Sequence, residues 1–113
     1  MKKKYRLKKS HDIEKVVKSK KSVGNKYYAI YYMSNELPYP QIAISISRKF
    51  GNAVKRNYHK RVVREIMREF LKEIPNYAIL IVVKKMAEEL SFQEKKEQIW
   101  QLLKKLSKQE KGV

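Results

Sequence analysis

The apolar positions of this chain fall into two spacings that alternate along its 113 residues. Ile13, Val16 and Val17 stand at i, i+3 and i+4, which predicts a short helix from Ser10 to Lys18 with one apolar face. Ser10 is placed to cap it, and Asp12 lies in the first turn, where the helix dipole favours an anion. Ser19 to Lys26 reads as a polar connection with Gly24-Asn25 as its turn and room for a short strand near Val23. Tyr27 to Met33, rich in aromatic residues, predicts a strand with Tyr28, Ile30 and Tyr32 on one side and Tyr27, Ala29, Tyr31 and Met33 on the other. After a proline-bearing turn over 35–40, a second strand puts Ile42, Ile44 and Ile46 on one face and Ala43, Ser45 and Ser47 on the other. The helical spacing returns from Ala53 to about Lys72 and ends at Pro75-Asn76. Tyr77 to Val83 is almost wholly apolar and of strand length, as a strand buried on both faces requires. Ser91 and Glu94 then form a capping box for a last helix, with Phe92, Ile99, Leu102, Leu103 and Leu106 as its buried stripe.

The predicted order is helix, strand, strand, helix, strand, helix. That is an α+β fold, a sheet with helices packed on it, in a single domain over 1–113. Residues 1–9 are expected to form a loosely ordered basic arm, and 107–113 a frayed polar tail.

Charge changes the picture more than composition does. Lys and Arg number 28 against 11 Asp and Glu, a net charge of +17, while the hydrophobic fraction of 42% is ordinary. Such an excess repels itself in a compact state and points to a polyanionic partner. There is no cysteine, so disulfides and thiolate metal sites are excluded. No apolar run approaches the roughly 20 residues of a membrane span, and no apolar core follows the basic N-terminus. No membrane role is expected, and the cytoplasm is the default location.

The bases concentrate between Arg48 and Arg68. Wound at about 100° per residue, the helix splits into a broad apolar arc of Val54, Tyr58, Val62, Val63, Ile66 and Phe70, and an opposite arc of Arg56, Asn57, Lys60, Arg61, Arg64 and Arg68. A solvated basic face is the ordinary alternative, but neighbouring like charges on a helix repel and Glu65 and Glu69 lie off this arc. The pattern favours a phosphate backbone as partner. The small Ala43-Ser45-Ser47 row is compatible with a shallow groove or with a solvent-facing strand surface.

Catalytic groups are sparse. His11 and His59 lie on different predicted helices without a carboxylate partner, and His59, at the edge of the apolar arc, reads as a half-buried structural residue. No Walker-type loop or HExxH motif occurs, and the acids are too dispersed for a two-metal nuclease site. No small-molecule substrate is indicated.

The run from Lys49 to Arg61, KFGNAVKRNYHKR, continuing to Arg64-Glu65, resembles the signature of the bacterial ribonuclease P protein subunit, K-x-G-x-A-V-x-R-N-R-x-K-R-x-x-R. The early RLKKSHDIEKVVK, the SVGNKYYAIYY and ISISRK segments, and YAILIVVKK extend the resemblance over nearly the whole chain. It implies a two-layer α+β sandwich with a mixed sheet, similar to the second domain of ribosomal protein S5, with a left-handed βαβ crossover around the basic helix. It implies a subunit that joins ribonuclease P RNA, which with Mg²⁺ bound mainly by the RNA removes the 5′ leader of precursor tRNA. The catalytic-RNA contacts would then be Lys49, Asn52, Arg56, Asn57, Lys60, Arg61, Arg64 and Arg68. The leader cleft would hold Ile13, Val17, Tyr31, Ser45, Ser47 and Arg48, with Tyr31 a stacking platform. No residue is assigned to catalysis, and the sequence leaves open where metal meets the protein.

Two departures bear on these roles. Tyr58 stands where the signature has a base and falls toward the core side of the arc, which predicts one missing phosphate contact. Ile13 and Val17 stand where the family commonly has aromatics, which shifts leader contacts toward Tyr31 and charge. The alternative is a structural RNA-binding module, ribosomal-protein-like, without a role in cleavage. It would need the basic helix but not Ser45, Ser47 and Tyr31. A protein-only nuclease is disfavoured by the scarcity of His and clustered acid, and a membrane-surface helix by the core's need for the apolar arc.

Overall fold

The computed structural model describes residues 3–111, with side chains through Leu106. The outermost residues of the expected basic arm and polar tail lie outside that range. Four strands form one mixed sheet: β1 (Ser22–Gly24), β2 (Tyr28–Ser34), β3 (Gln41–Ile46) and β4 (Tyr77–Val83), in the spatial order β1-β2-β4-β3. The three α-helices are α1 (Ser10–Lys18), α2 (Ala53–Phe70) and α3 (Phe92–Lys111).

β4 is the centre of the fold. It pairs antiparallel with β2 and parallel with β3, so only a strand apolar on both faces fits there, as its sequence predicts. The parallel β3–β4 pair is joined through α2, which makes the basic helix the crossover of a βαβ unit.

Strand alternation sorts the two cores. Tyr28, Ile30, Ile42, Ile79 and Ile81 meet Val63, Ile66 and Met67 of α2 and Ile99, Leu102, Leu103 and Leu106 of α3 in the main core. The opposite face carries a smaller cluster of Val16 from α1 with Leu7, Ala43, Ala78 and Leu80, edged by Ile13, Tyr31 and Met33. α1 therefore lies across the sheet from α2 and α3, and it leaves Ser45 on that face exposed.

The Ser91–Glu94 capping box forms as predicted. The Glu94 amide donates to Ser91 Oγ at 3.2 Å, and the Ser91 amide to Glu94 Oε1 at 2.9 Å. The Ser91 amide, and after it the Ser91 hydroxyl, hold the Glu94 carboxyl below its usual pKa.

Four expectations are corrected. Ser10 is the first helical residue, not the cap; Lys9 holds the cap position without a side-chain bond. Phe92 is 47% exposed, because as the first residue of α3 it precedes the part of the helix that reaches the sheet. The helical backbone of α3 continues past Ser107 to Lys111. The basic arm is tied down: Arg6 bridges Ile42 in parallel, the Leu7 amide donates to Ile42 O at 2.9 Å, and the Leu7 side chain is buried. A leucine beside a free strand edge gains both burial and a backbone bond.

Candidate nucleic-acid interface

The basic helix is set in place by the turn before it. Ser47 continues the line of β3, its amide donating to Val83 O at 3.2 Å. Its hydroxyl accepts from the Lys49 amide at 3.2 Å and so caps a single 3₁₀ turn, Arg48–Phe50. Gly51 then takes φ +97° and ψ −132°, a conformation that side-chain-bearing residues avoid. The Asn52 side chain accepts from the Lys55 amide at 3.0 Å and caps α2. Lys49, Asn52 and Arg48 are all exposed at this entry, and Asn52 combines exposure with a structural duty.

The faces of α2 differ from the broad arc. Its buried residues are His59, Val63, Ile66 and Met67, with Val62 and Phe70 half-buried beside them. Val54 is 78% and Tyr58 57% exposed, and neither joins the core. The buried stripe centres roughly 120° or more from both at helical spacing, so the two side chains turn to solvent. His59 does join the core, its ring 4.6 Å from Phe50 and edge-on to Tyr58 at 5.3 Å. Burial first, then nearby Lys95, pulls its pKa down and so favours the neutral ring.

The basic arc is intact and mostly free of acid partners. Arg61, Asn57 and Arg68 are exposed, while Arg56, Lys60 and Arg64 are half-buried along the stripe's flank. Among the described residues, none of Arg56, Lys60, Arg61 and Arg64 forms an ion pair, whereas Arg68 reaches Glu65 at 2.8 Å. Arg56, Asn57 and Lys60 line a depression of about 210 Å³ with Ile46 and Ala53, and Arg56 Nε is buried without a hydrogen-bond partner among the described residues. Lys55 is different. With Lys85 it grips Glu88, whose carboxyl is driven down to about 2 by those two hydrogen bonds.

The second residue set lies across the sheet. Tyr31 aligns with Leu80 and Ala43, and the next row holds Ala29, Val82 and Ser45. This second row is built of small or modest side chains, and Ser45 at its end is exposed. Ile13 packs at the edge of the α1 cluster with Tyr31, while Val17, 42% exposed, does not join it. Ser47 and Arg48 continue past the row toward α2. Ile13, Tyr31 and Ser45 thus share the sheet face that α1 covers, with Ser47 and Arg48 at the end of β3.

Among the described residues no three His, Asp or Glu side chains are grouped to hold a metal ion. No described helix is long and apolar enough to cross a membrane.

The family model for ribonuclease P matches residues 1–107. The chain belongs to the ribonuclease P protein family. The ribonuclease P protein component of Acholeplasma laidlawii is 43% identical over 104 residues, covering 91% of this chain and 90% of that protein. That of Streptococcus gordonii is 33% identical over 113 residues, covering 100% and 95%. Among solved structures, the Thermotoga maritima RNase P protein superposes with a TM-score of 0.81 at 33% identity, over 88% of this chain and 96% of that one. A Staphylococcus aureus RNase P protein mutant with defective mRNA degradation activity gives 0.87 at 29% identity, over 93% and 90%. The protein is accordingly a component of ribonuclease P, and its mixed four-stranded α+β fold is that of the bacterial RNase P proteins. Within the family signature, Tyr58 is the departure, and its ring points to solvent beside the basic arc rather than into the core.

Proposed function

We propose that this chain binds ribonuclease P RNA through α2 and its entry turn, and takes the single-stranded 5′ leader of precursor tRNA along a track from α1 to β3. The observation that carries this reading is the set Arg56, Lys60, Arg61 and Arg64, four cations on one helix face that pair with no acid among the described residues. Concentrated positive charge of this kind replaces the counterions of a phosphate backbone and lowers the repulsion between two RNAs brought together. Lys49, Asn52 and Asn57 extend the contact with hydrogen-bond donors, and Arg68 contributes least because Glu65 already neutralises it.

In the track, Tyr31 offers a π-face to a base, and the small row ending at Ser45 lets the strand lie close to the sheet. Ile13 and Val17 supply apolar walls rather than stacking surfaces. The protein supplies no bond-making group in this reading. Hydrolysis of the phosphodiester belongs to the RNA and its Mg²⁺. His59 is no candidate for acid–base work, since it is buried against Phe50.

The test is cleavage of precursor tRNA by the cognate ribonuclease P RNA at low Mg²⁺, with and without this protein, on long-leader and leaderless substrates. Rescue of cleavage with a preference for the long leader is expected. Tight RNA binding that changes neither would replace this reading with the structural RNA-binding module.

A further inference from the structure

β3 is an edge strand, and it separates the leader track from the basic helix. The arm pairs with it at one point: the Leu7 amide bonds Ile42 O, so Ile42 turns its backbone groups away from β4. Strand alternation makes Ile44 do the same, with no neighbouring strand to receive its N–H and C=O. Around this open stretch runs a groove of about 280 Å³ that straddles the edge. Arg6 and Lys8 of the arm line one side and Lys60 and Arg64 of α2 the other, with Ile13 at the track end, and no acid contributes. Arg6 Nε is buried and without a hydrogen-bond partner among the described residues. A buried guanidinium donor without an acceptor is uncommon in a folded protein. Here it sits beside three further cations and an unpaired strand edge.

We infer that this groove is a phosphodiester-binding site, in which Arg6 and Lys8 close one RNA strand over the β3 edge against Lys60 and Arg64. The inference rests on the proposed leader and catalytic-RNA contacts and adds a joint between them. The strand is single, because a duplex is too wide to thread between arm and helix. Its phosphate accepts from Arg6 and Lys8, and the Ile44 amide offers one more donor. The arm thereby makes the two surfaces one continuous path. The residues that distinguish this site lie outside the signature, at Arg6 and Lys8. An acidic peptide adding as a fifth strand is the competing occupant, but four cations around a short edge favour a phosphate chain.

The experiment compares the full chain with Arg6→Gln/Lys8→Gln, and with Lys8→Gln alone, in the reconstituted holoenzyme. Affinity is measured for long-leader and leaderless precursor tRNA across a salt series, with circular dichroism confirming the fold. Lys8 is exposed, so its single variant keeps the test open should the double variant misfold. The expected result is a loss of about threefold per contact for the long leader, none for the leaderless substrate, and a salt slope shallower by about 0.7 per contact removed. A single neutral methylphosphonate in the leader should reproduce the loss in the native protein and add nothing in the variant. Unchanged long-leader affinity in both variants would overturn the inference, as would an equal loss on leaderless substrate. Binding of oligoglutamate at matched ionic strength that depends on Arg6 and Lys8, while leader binding does not, would reassign the edge to a peptide. If the native protein itself shows no leader preference, it is the proposed leader function that fails, not the groove alone.

Discussion

Phe50 and His59 lie ring against ring, with centroids 4.6 Å apart, and join the entry turn to the first buried position of the basic helix. Both are buried, so this contact helps to anchor to the core the turn that presents Lys49 and Asn52. Lys95, Glu88, Lys55 and Lys85 all act on the same imidazole. Anchoring and charge therefore meet at a titratable group.

The sign of the pH effect follows. The folded pKa of His59 lies below its unfolded value near 6.5, chiefly through burial. Its contribution to stability is therefore complete above that value and lost as pH falls through the depressed folded pKa. Glu88 titrates near 2 and stays ionised over this window. Urea unfolding at about pH 7.5 and pH 5 should show the native protein losing more stability on acidification than His59→Leu. Equal losses would mean that His59 is not buried neutral.

The exposed start of α2 gives a contrast within one helix. Ile66→Ala should cost about 2–5 kcal/mol, because the side chain is fully buried against the sheet. Val54→Lys, on the solvent side of the same helix, should stay within about 0.5 kcal/mol. Denaturant midpoints of the two variants check this. A large cost at Val54 would restore the broader apolar arc.

Gly51→Ala tests the turn alone. An added Cβ would meet no atom within 4 Å, so sterics contribute nothing and only the backbone conformation at φ +97° resists. A loss of about 1–3 kcal/mol is expected from that strain. An unchanged melting transition would show that the turn can re-form in another geometry.

The arrangement of the core was largely legible, and the reasons are local. Tyr77–Val83 is apolar at every position, so its burial on both faces follows from composition alone. Ile99, Leu102, Leu103 and Leu106 keep strict helical spacing, and the Ser91–Glu94 pair marks where that helix starts. The misread positions are those where burial depends on what lies opposite. Val54 and Tyr58 fit a broad apolar arc, but the face that meets the sheet is the narrower stripe of His59, Val63, Ile66 and Met67, which points away from both. Leu7, alone among bases, carries no periodicity, and its burial depends on a strand edge 35 residues later at Ile42. The bases of the interface were readable as a helix face. Which of them keep a free charge was not, since the pairing of Arg68 with Glu65 depends on side-chain reach.

Tyr58 offers a graded test of the interface. With its ring exposed beside Arg61, Tyr58→Arg restores the family signature and should steepen the salt dependence of ribonuclease P RNA binding by about one contact. Stability should change little. A variant that destabilises the fold instead would show that the edge contact with His59 matters more than exposure suggests.

The central claim is that the unpaired cations of α2 hold the catalytic RNA, and the salt dependence of that affinity tests it most directly. Binding of the native protein, Arg61→Gln/Arg64→Gln and Arg68→Gln to ribonuclease P RNA would be measured across a salt series. The double variant should lose affinity and flatten the slope by about 0.7–0.9 per cation removed, while Arg68→Gln changes the slope little. Identical slopes for the native protein and the double variant would contradict the account.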